Sequence, residues 1–120
     1  MKAQQSKVRS LWFWLFWAAA AFTLVMAVVP QPPDLPGQPS DKVQHMIAFA
    51  TLAALAGRAF AGASPAWILL GLSLFGAAIE AIQSIPALYR DSDPRDWIAD
   101  TVAAAFVLLV AAALRMSRKR

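Results

Sequence analysis

Two pairs of polar residues in this sequence have spacings that put both members on one side of a helix. Asp41 and His45 are four residues apart, and Glu80 and Gln83 are three residues apart. Side chains at these separations are neighbours on a helix surface. Carboxylate and imidazole groups are common proton donors and acceptors in enzymes. The two pairs therefore predict chemistry based on proton exchange, with Glu80 and His45 as the exchanging residues.

Basic and acidic residues near these pairs extend the candidate site. Arginine forks match phosphate oxygens, so Arg90 and Lys42 are candidates for holding a phosphate. Asp96 is a further candidate catalytic residue, although an acid in the first turn of a helix also suits the helix dipole. A divalent cation bridging Asp96, Glu80 and His45 is an alternative, but no spacing here is diagnostic of a metal site.

The predicted site has a catalytic group and a substrate-binding group, with no metal site and no assigned cofactor. The catalytic residues are Glu80, His45 and Asp96, and the substrate-binding residues are Asp41, Lys42, Gln83 and Arg90. Glu80 lies inside an apolar segment, and an ionised side chain at the centre of a bilayer is unfavourable by on the order of 2.5 to 3.5 kcal/mol. We therefore expect a partner for Glu80, and Arg90 and His45 are the candidates.

The segments that carry these residues are apolar enough for a membrane. Hydrophobic residues make up 59% of the chain and charged residues 15%, and there is no cysteine to form a disulfide or a thiolate metal site. A bilayer core about 30 Å thick needs about 20 mostly apolar residues per helix. An all-α bundle of four transmembrane helices is predicted, with spans at about residues 11–29, 41–60, 66–85 and 95–114, in a single domain over residues 1–120.

Helix-start signals precede three of these spans. Ser40, Ser64 and Asp93 belong to the residue types that cap helix N-termini. Pro65 and Pro94 follow the last two, at the first helical position, where proline is favoured. These signals predict helices that begin directly after Ser40, Ser64 and Asp93.

The first predicted span has a second interpretation. Three basic residues (Lys2, Lys7 and Arg9) precede its apolar run, as in a secretory signal peptide. The run is longer than the usual apolar part of a signal peptide, which favours a retained span. The density of prolines in segment 30–40 is incompatible with helix and predicts a loop outside the bilayer.

Basic residues are distributed unevenly along the chain. Of the eleven Lys and Arg residues, seven lie in the two tails, and Arg58 lies in the connection between the second and third spans. The other two connections are net acidic. Because cytoplasmic loops are enriched in Lys and Arg, both termini are predicted to be cytoplasmic and the candidate site to face outward. The net charge of +4 is attributed to topology and lipid headgroups, and no nucleic-acid partner is expected.

The order of the polar residues resembles the VanZ-like family of small bacterial membrane proteins. The resemblance is carried by Asp41-Lys42-x-x-His45-x-x-x-Phe49, then Glu80-x-x-Gln83, then Arg90 with Asp96 after it. The family pattern continues with an asparagine and a glycine in the fourth span, where this chain has Asp100 and Ala103 or Ala104. The resemblance implies a four-helix protein of the bacterial cell envelope, in a family named for a member that raises resistance to the glycopeptide teicoplanin.

Three functions fit these residues. The first is an enzyme or binder at the outer face of the bacterial cytoplasmic (inner) membrane, acting on a lipid-linked envelope intermediate or a glycopeptide antibiotic. The second is a non-catalytic accessory or binding protein that uses the same residues. The third is a small proton-coupled exporter, which is disfavoured because transporters of that size carry a carboxylate in the first span, whereas this first span is uncharged. The sequence predicts the lipid bilayer as a partner and assigns no substrate and no oligomeric state.

Overall fold

The described part of the chain folds into four α-helices and one short 3-10 helix. The computed structural model describes residues 2–29, 40–88 and 92–118, and for Asp41 only the backbone. The helices are α1 (Lys2–Val28), α2 (Asp41–Ala59), α3 (Pro65–Gln83) and α4 (Pro94–Arg118), and the 3-10 helix is Pro86–Leu88. Within these ranges the chain contains no strand, so the all-α prediction is confirmed.

The predicted helix starts agree with the structure. Ser40 and Ser64 cap α2 and α3, because each hydroxyl accepts a hydrogen bond from the backbone N–H three residues later, at 3.2 Å and 3.3 Å. Asp93 caps α4, and its Oδ1 accepts from the backbone N–H of Arg95 at 2.9 Å. These bonds satisfy amide groups that have no partner inside their helix.

Two helices are longer than the spans predicted for them. Helix α1 begins at Lys2 rather than near residue 11, and α4 continues to Arg118 rather than ending near residue 114. Hydropathy marks only the apolar part of a helix, whereas Lys, Gln and Arg are good helix formers that extend it beyond that part. Helix α3 ends at Gln83, two residues short of its predicted end, and the chain then turns into the 3-10 helix.

Helices α1, α3 and α4 are long and apolar enough to cross a membrane. Mean hydropathies in their most apolar windows are 2.0, 1.7 and 2.2. Much of their apolar surface is exposed, as at Trp14, Phe22, Leu74, Phe106 and Leu109. Exposed apolar side chains along helices of this length are compatible with association with a lipid bilayer.

Helix α2 lies between the other three helices and supplies the centre of the core. Phe49, Leu52, Ala53 and Ala56 of α2 are at most 1% exposed. Helix α2 packs most extensively against α4 and then against α1. Neighbouring helices can therefore satisfy polar side chains on α2, so this helix does not need to be as apolar as the other three.

Small residues allow α2, α3 and α4 to approach closely. A Cβ atom added at Gly76 of α3 would lie 3.2 Å from Trp97 Cδ1 and 3.3 Å from Phe49 Cζ. In the same region Trp97 Nε1 donates a hydrogen bond to the Ser73 backbone oxygen at 2.9 Å, and the hydroxyls of Ser73 and Thr101 lie 3.1 Å apart. Close packing of this kind, with hydrogen bonds between helices, is typical of membrane bundles.

Candidate functional site

Five buried polar side chains gather at the end of the bundle where α2 and α4 begin and α3 ends. They are His45, Glu80, Gln83, Asp96 and Asp100, with exposed fractions of 8%, 9%, 1%, 9% and 2%. We call these five residues the polar cluster. Buried polar groups need hydrogen-bond partners, so the contacts of the polar cluster indicate what it can bind.

Two pairs of side chains join α2 to α4. Lys42 Nζ lies 3.8 Å from Asp96 Oδ1, and His45 Nδ1 lies 3.8 Å from Asp100 Oδ2. Residues three or four apart share a helix face, so the two pairs lie at successive turns. The Lys42 side chain is 48% exposed, whereas the side chains of His45 and Asp100 are 10% and 3% exposed. Solvent therefore screens the outer pair much more than the inner pair.

Asp100 belongs to the polar cluster but is absent from the predicted site. It lies four residues after Asp96, which places it one turn deeper along α4. A usable signal exists in the sequence, because an acid inside a span is unfavourable unless it is paired and the chain has one histidine to pair with it. The VanZ-like pattern has an uncharged asparagine at this position, so the resemblance does not indicate an acidic residue there.

Glu80 holds the segment that leads into α4. Its Oε2 accepts a hydrogen bond from the Asp93 backbone N–H at 3.0 Å and lies 3.1 Å from Ser92 Oγ. The Ser92 hydroxyl also lies 3.0 Å from the Glu80 backbone oxygen. Arg90, one of the two basic partners predicted for Glu80, lies outside the described residues, so that pairing stays a prediction. Within the described residues, the partners of Glu80 Oε2 are a backbone amide and a hydroxyl. The carboxylate thereby positions the start of α4 against the end of α3.

Gln83 connects α3 to α1. Its Nε2 donates a hydrogen bond to the Ala27 backbone oxygen at 2.9 Å. Helix α1 ends at Val28, so Ala27 carries one of the terminal carbonyl groups that have no partner inside their helix. Gln83 therefore caps the end of α1 from a neighbouring helix, and this contact brings α1 to the polar cluster.

Asp93 serves as a cap and lies outside the polar cluster. Its Oδ1 accepts from the backbone N–H of Arg95 and, at 3.3 Å, from Arg95 Nε. The backbone hydrogen bond, followed by the guanidinium hydrogen bond, lowers the pKa of the Asp93 carboxyl below its usual 3.8. The Arg95 side chain is 82% exposed, so the ion pair itself adds little to stability.

Two predicted site residues lie wholly or partly outside the described part of the chain. Arg90 lies outside the described residues, and Asp41 is the first residue of α2, with only its backbone described.

No family model, curated protein or solved structure matches this chain. The resemblance to the VanZ-like family stays a prediction, as do the roles of Arg90 and Asp41.

The polar cluster contains two buried acceptors whose hydrogen bonds are unfilled. Among the described residues, Glu80 Oε1 and Gln83 Oε1 have no hydrogen-bond partner. A buried acceptor left without a donor destabilises a protein by about 1–3 kcal/mol. These two oxygens can therefore accept hydrogen bonds from a donor that is not among the described residues.

Among the described residues, carboxylates predominate over cationic side chains in and beside the polar cluster. Lys42 lies beside Asp96 and His45 beside Asp100, whereas Glu80 contacts a hydroxyl and a backbone amide. Such a set suits a ligand with hydroxyl, amide or ammonium donors. In the described part of the chain, no three His, Asp or Glu side chains lie close enough together to hold a metal ion. A cation bridging Asp96, Glu80 and His45 thus gains no support there.

Proposed function

We propose that this chain is a multi-pass protein of the bacterial cytoplasmic membrane, with four spans and with both termini in the cytoplasm. Helices α1, α3 and α4 have the length and composition of spans. Helix α2 has 19 residues, as α3 has, and a helix of that size is about 28 Å long, close to the thickness of a bilayer core. Its position among the other helices supports α2 as a span in addition to α1, α3 and α4.

The distribution of charge supports the proposed orientation. Basic residues occupy the start of α1 and the last turn of α4: Lys2, Lys7, Arg9, Arg115 and Arg118. Arg58, near the end of α2, lies with its guanidinium carbon 5.6 Å from the centre of the Trp12 ring of α1. The connection after α2 is therefore at the same end as the basic start of α1. An excess of Lys and Arg favours the cytoplasm for this end and the outer face for the polar cluster.

In this proposal the polar cluster binds a lipid-linked envelope intermediate at the outer leaflet. The observation that carries it is the pair of buried acceptors, Glu80 Oε1 and Gln83 Oε1, without a partner among the described residues. A ligand that donates hydroxyl or amide hydrogens to them would supply hydrogen bonds that the described residues do not. The sugars and peptides of envelope intermediates carry both kinds of donor. Glycopeptide antibiotics, which the VanZ-like resemblance suggests, carry them too.

Lys42 is the phosphate-binding residue of this proposal. Its side chain is half exposed, and its Nζ lies 3.8 Å from Asp96 Oδ1, so the ammonium can turn toward a ligand phosphate while Asp96 limits its movement. This contact favours a positioning role for Asp96 over a catalytic one. Arg90, outside the described residues, would add a bidentate phosphate contact.

His45 and Glu80 are the proton-exchanging residues of the catalytic form of the proposal. Asp100 lies 3.8 Å from His45 Nδ1, and a carboxylate beside an imidazole nitrogen helps to set the orientation of the ring. Glu80 would accept from the ligand through Oε1, because Oε2 is used by the Asp93 backbone N–H.

Binding without catalysis is the second candidate. It is favoured by the use of Glu80 in the fold, because a carboxylate that holds a helix start is less free to give and take a proton during a reaction cycle. An exporter is supported less, since the apolar part of α1 carries no acidic residue. Turnover of a bound precursor would support the enzyme, and saturable binding without turnover would support the accessory role.

Glu80→Gln tests the site sharply. An amide keeps one acceptor oxygen for the Asp93 N–H and turns the position of Oε1 into a donor. We expect the affinity for an isoprenoid-diphosphate-linked cell-wall precursor to fall by about tenfold or more, as for a lost hydrogen bond to a charged group. Thermal stabilisation of the protein in nanodiscs measures this affinity, with teicoplanin as the second ligand.

Asp93→Asn is the matched control, because it makes the same chemical change at a capping carboxyl outside the polar cluster. It should bind like the wild type. If Glu80→Gln also lowers the melting temperature without ligand, Ser92→Ala separates the two effects, since it weakens the contact with Oε2 and leaves Oε1 in place. Undiminished binding by a folded Glu80→Gln protein would refute the proposed acceptor.

A further inference from the structure

An apolar groove lies at the opposite end of the bundle from the polar cluster. It has a volume of about 410 Å³ and is lined by α1, α2, α3 and the connection after α2. Phe16 and Phe60 form one wall, with their rings 5.2 Å apart, and the small residues Ala56 and Gly71 leave the space open. Its volume falls within the roughly 300 to 1,000 Å³ of ligand sites.

The groove opens toward the surroundings of the bundle. Trp17 and Trp67 border it and are 48% and 70% exposed. Helices α1 and α3, which supply most of the lining, are long and apolar enough to cross a membrane. A groove of apolar side chains between such helices meets hydrocarbon rather than water. The chemistry of the lining therefore fits an acyl chain.

A cation lies beside one end of the groove. The guanidinium of Arg58 stacks on Trp12, with 5.6 Å between Cζ and the ring centre. Trp12 is one helical turn from Phe16, which lines the groove. Stacking on a ring face holds a guanidinium in place and leaves its edge directed outward for hydrogen bonds to phosphate. Lys7 and Arg9 at the start of α1 add positive charge to this end.

We propose that this groove binds one acyl chain of an anionic phospholipid and that Arg58 holds the phosphate of the same lipid. The apolar lining accounts for the chain, and the adjoining basic end accounts for the charge of the headgroup. The lipid would fill the space between α1 and α3 at the end of the bundle opposite the Gln83 contact. The site is independent of the polar cluster, because the two lie at opposite ends of α2 and α3.

Gly71→Leu is the variant that fills the groove. A Cβ atom at Gly71 meets no atom within 4 Å, so a larger side chain can enter the open space without moving the backbone. Gly57→Leu is the matched control, because Gly57 is also helical, its added Cβ also meets no atom within 4 Å, and it does not line the groove. Both changes raise helix propensity in the same way.

Native mass spectrometry of the full chain, extracted in detergent and supplied with phosphatidylglycerol or phosphatidylcholine of the same acyl chains, tests the proposal. The wild type and Gly57→Leu should each retain one phosphatidylglycerol. Gly71→Leu should lose it, and Arg58→Gln should retain the two lipids equally. If Gly71→Leu does not fold, as judged by circular dichroism, Ala63→Leu blocks the groove from the exposed connection.

Three results would overturn the proposal. Equal lipid retention by the wild type and a folded groove-filling variant would show that the chain does not bind there. If the wild type retains phosphatidylglycerol and phosphatidylcholine equally, Arg58 does not select an anionic lipid. A lipid-free dimer that Gly71→Leu converts to a monomer would assign the groove to a second copy of this chain. None of these results bears on ligand binding by the polar cluster, which is measured separately with Glu80→Gln.

Discussion

Glu80 Oε2 accepts a hydrogen bond from the backbone N–H of Asp93 across 3.0 Å, and this contact ties the end of α3 to the start of α4. The two oxygens of one carboxylate thus differ in use. Oε2 supports the fold, whereas Oε1 is buried and lacks a hydrogen-bond partner among the described residues. A substitution at Glu80 therefore affects stability through one oxygen and ligand binding through the other.

Replacing Glu80 with Ala should destabilise the protein more than replacing Ser92 with Ala. Ala at position 80 leaves the Asp93 N–H without its acceptor, which should lower the free energy of unfolding by about 1–3 kcal/mol. Ser92→Ala removes one neutral hydroxyl donor and should lower it by about 0.5–1.5 kcal/mol. Thermal unfolding of the full chain in one detergent measures both. A Glu80→Ala protein that melts at the same temperature as the wild type would show that the Glu80–Asp93 hydrogen bond does not stabilise the fold.

The two pairs between α2 and α4 should differ in coupling energy. A double-mutant cycle with His45→Gln and Asp100→Asn should give a coupling of about 0.5–3 kcal/mol, because these side chains are almost fully buried. The cycle with Lys42→Gln and Asp96→Asn is the control and should give less than about 1 kcal/mol, since Lys42 is half exposed. A larger coupling energy for Lys42 and Asp96 than for His45 and Asp100 would show that burial does not determine which pair is the stronger.

Asp93 should make stability depend on pH in the acidic range. Its pKa in the folded state lies below the usual 3.8, so the folded state binds fewer protons there than the unfolded state does. The stabilisation is therefore complete above the unfolded pKa and is lost as the pH falls through the folded pKa. A carbon NMR titration of the carboxyl measures the folded pKa directly. A pKa at or above 3.8, or a stability profile that Asp93→Asn leaves unchanged, would disprove this assignment.

Gly76→Ala should destabilise the bundle, whereas Gly71→Ala should not. A Cβ at Gly76 would lie 3.2 Å from Trp97 and 3.3 Å from the almost fully buried Phe49, so one of these rings must move. Overpacking of this kind lowers the free energy of unfolding by about 1–3 kcal/mol. Gly71→Ala has open space and gains about 0.5–1 kcal/mol of helix stability. Unfolding of both variants under one condition gives the comparison, and equal melting temperatures would contradict it.

The helices could be predicted from the sequence because their signals are local. Ser64 and Pro65 act within one turn of α3, and the apolar composition of α1 acts along its own length. The position of α2 among the other helices could not be predicted in this way. Helix α2 is not among the helices whose composition marks them as able to cross a membrane, so composition does not show that Phe49 and Leu52 are among the most buried side chains of the described residues.

The sequence predicts which residues form the candidate site better than it predicts the contacts that they make. Residue type and helical spacing indicate His45, Glu80 and Gln83, and the VanZ-like resemblance adds Asp96; the structure buries all four at one end of the bundle. The hydrogen bond from the Asp93 backbone N–H to Glu80 was not predictable, because residue types indicate pairs of charged side chains and do not indicate contacts with backbone amides. Ser92 carries no signal of its own in the sequence.

Helical segments, apolar segments and the order of charges along the chain can be read from the amino-acid sequence, because these properties depend on residues within a few turns. The contact of Asp100 with His45 and the capping of α1 by Gln83, which bonds a residue 56 positions away, depend on the three-dimensional packing. Contacts across such separations depend on how whole helices pack and rotate against one another. That packing results from the combined shape of all the core side chains, which no single spacing in the sequence encodes.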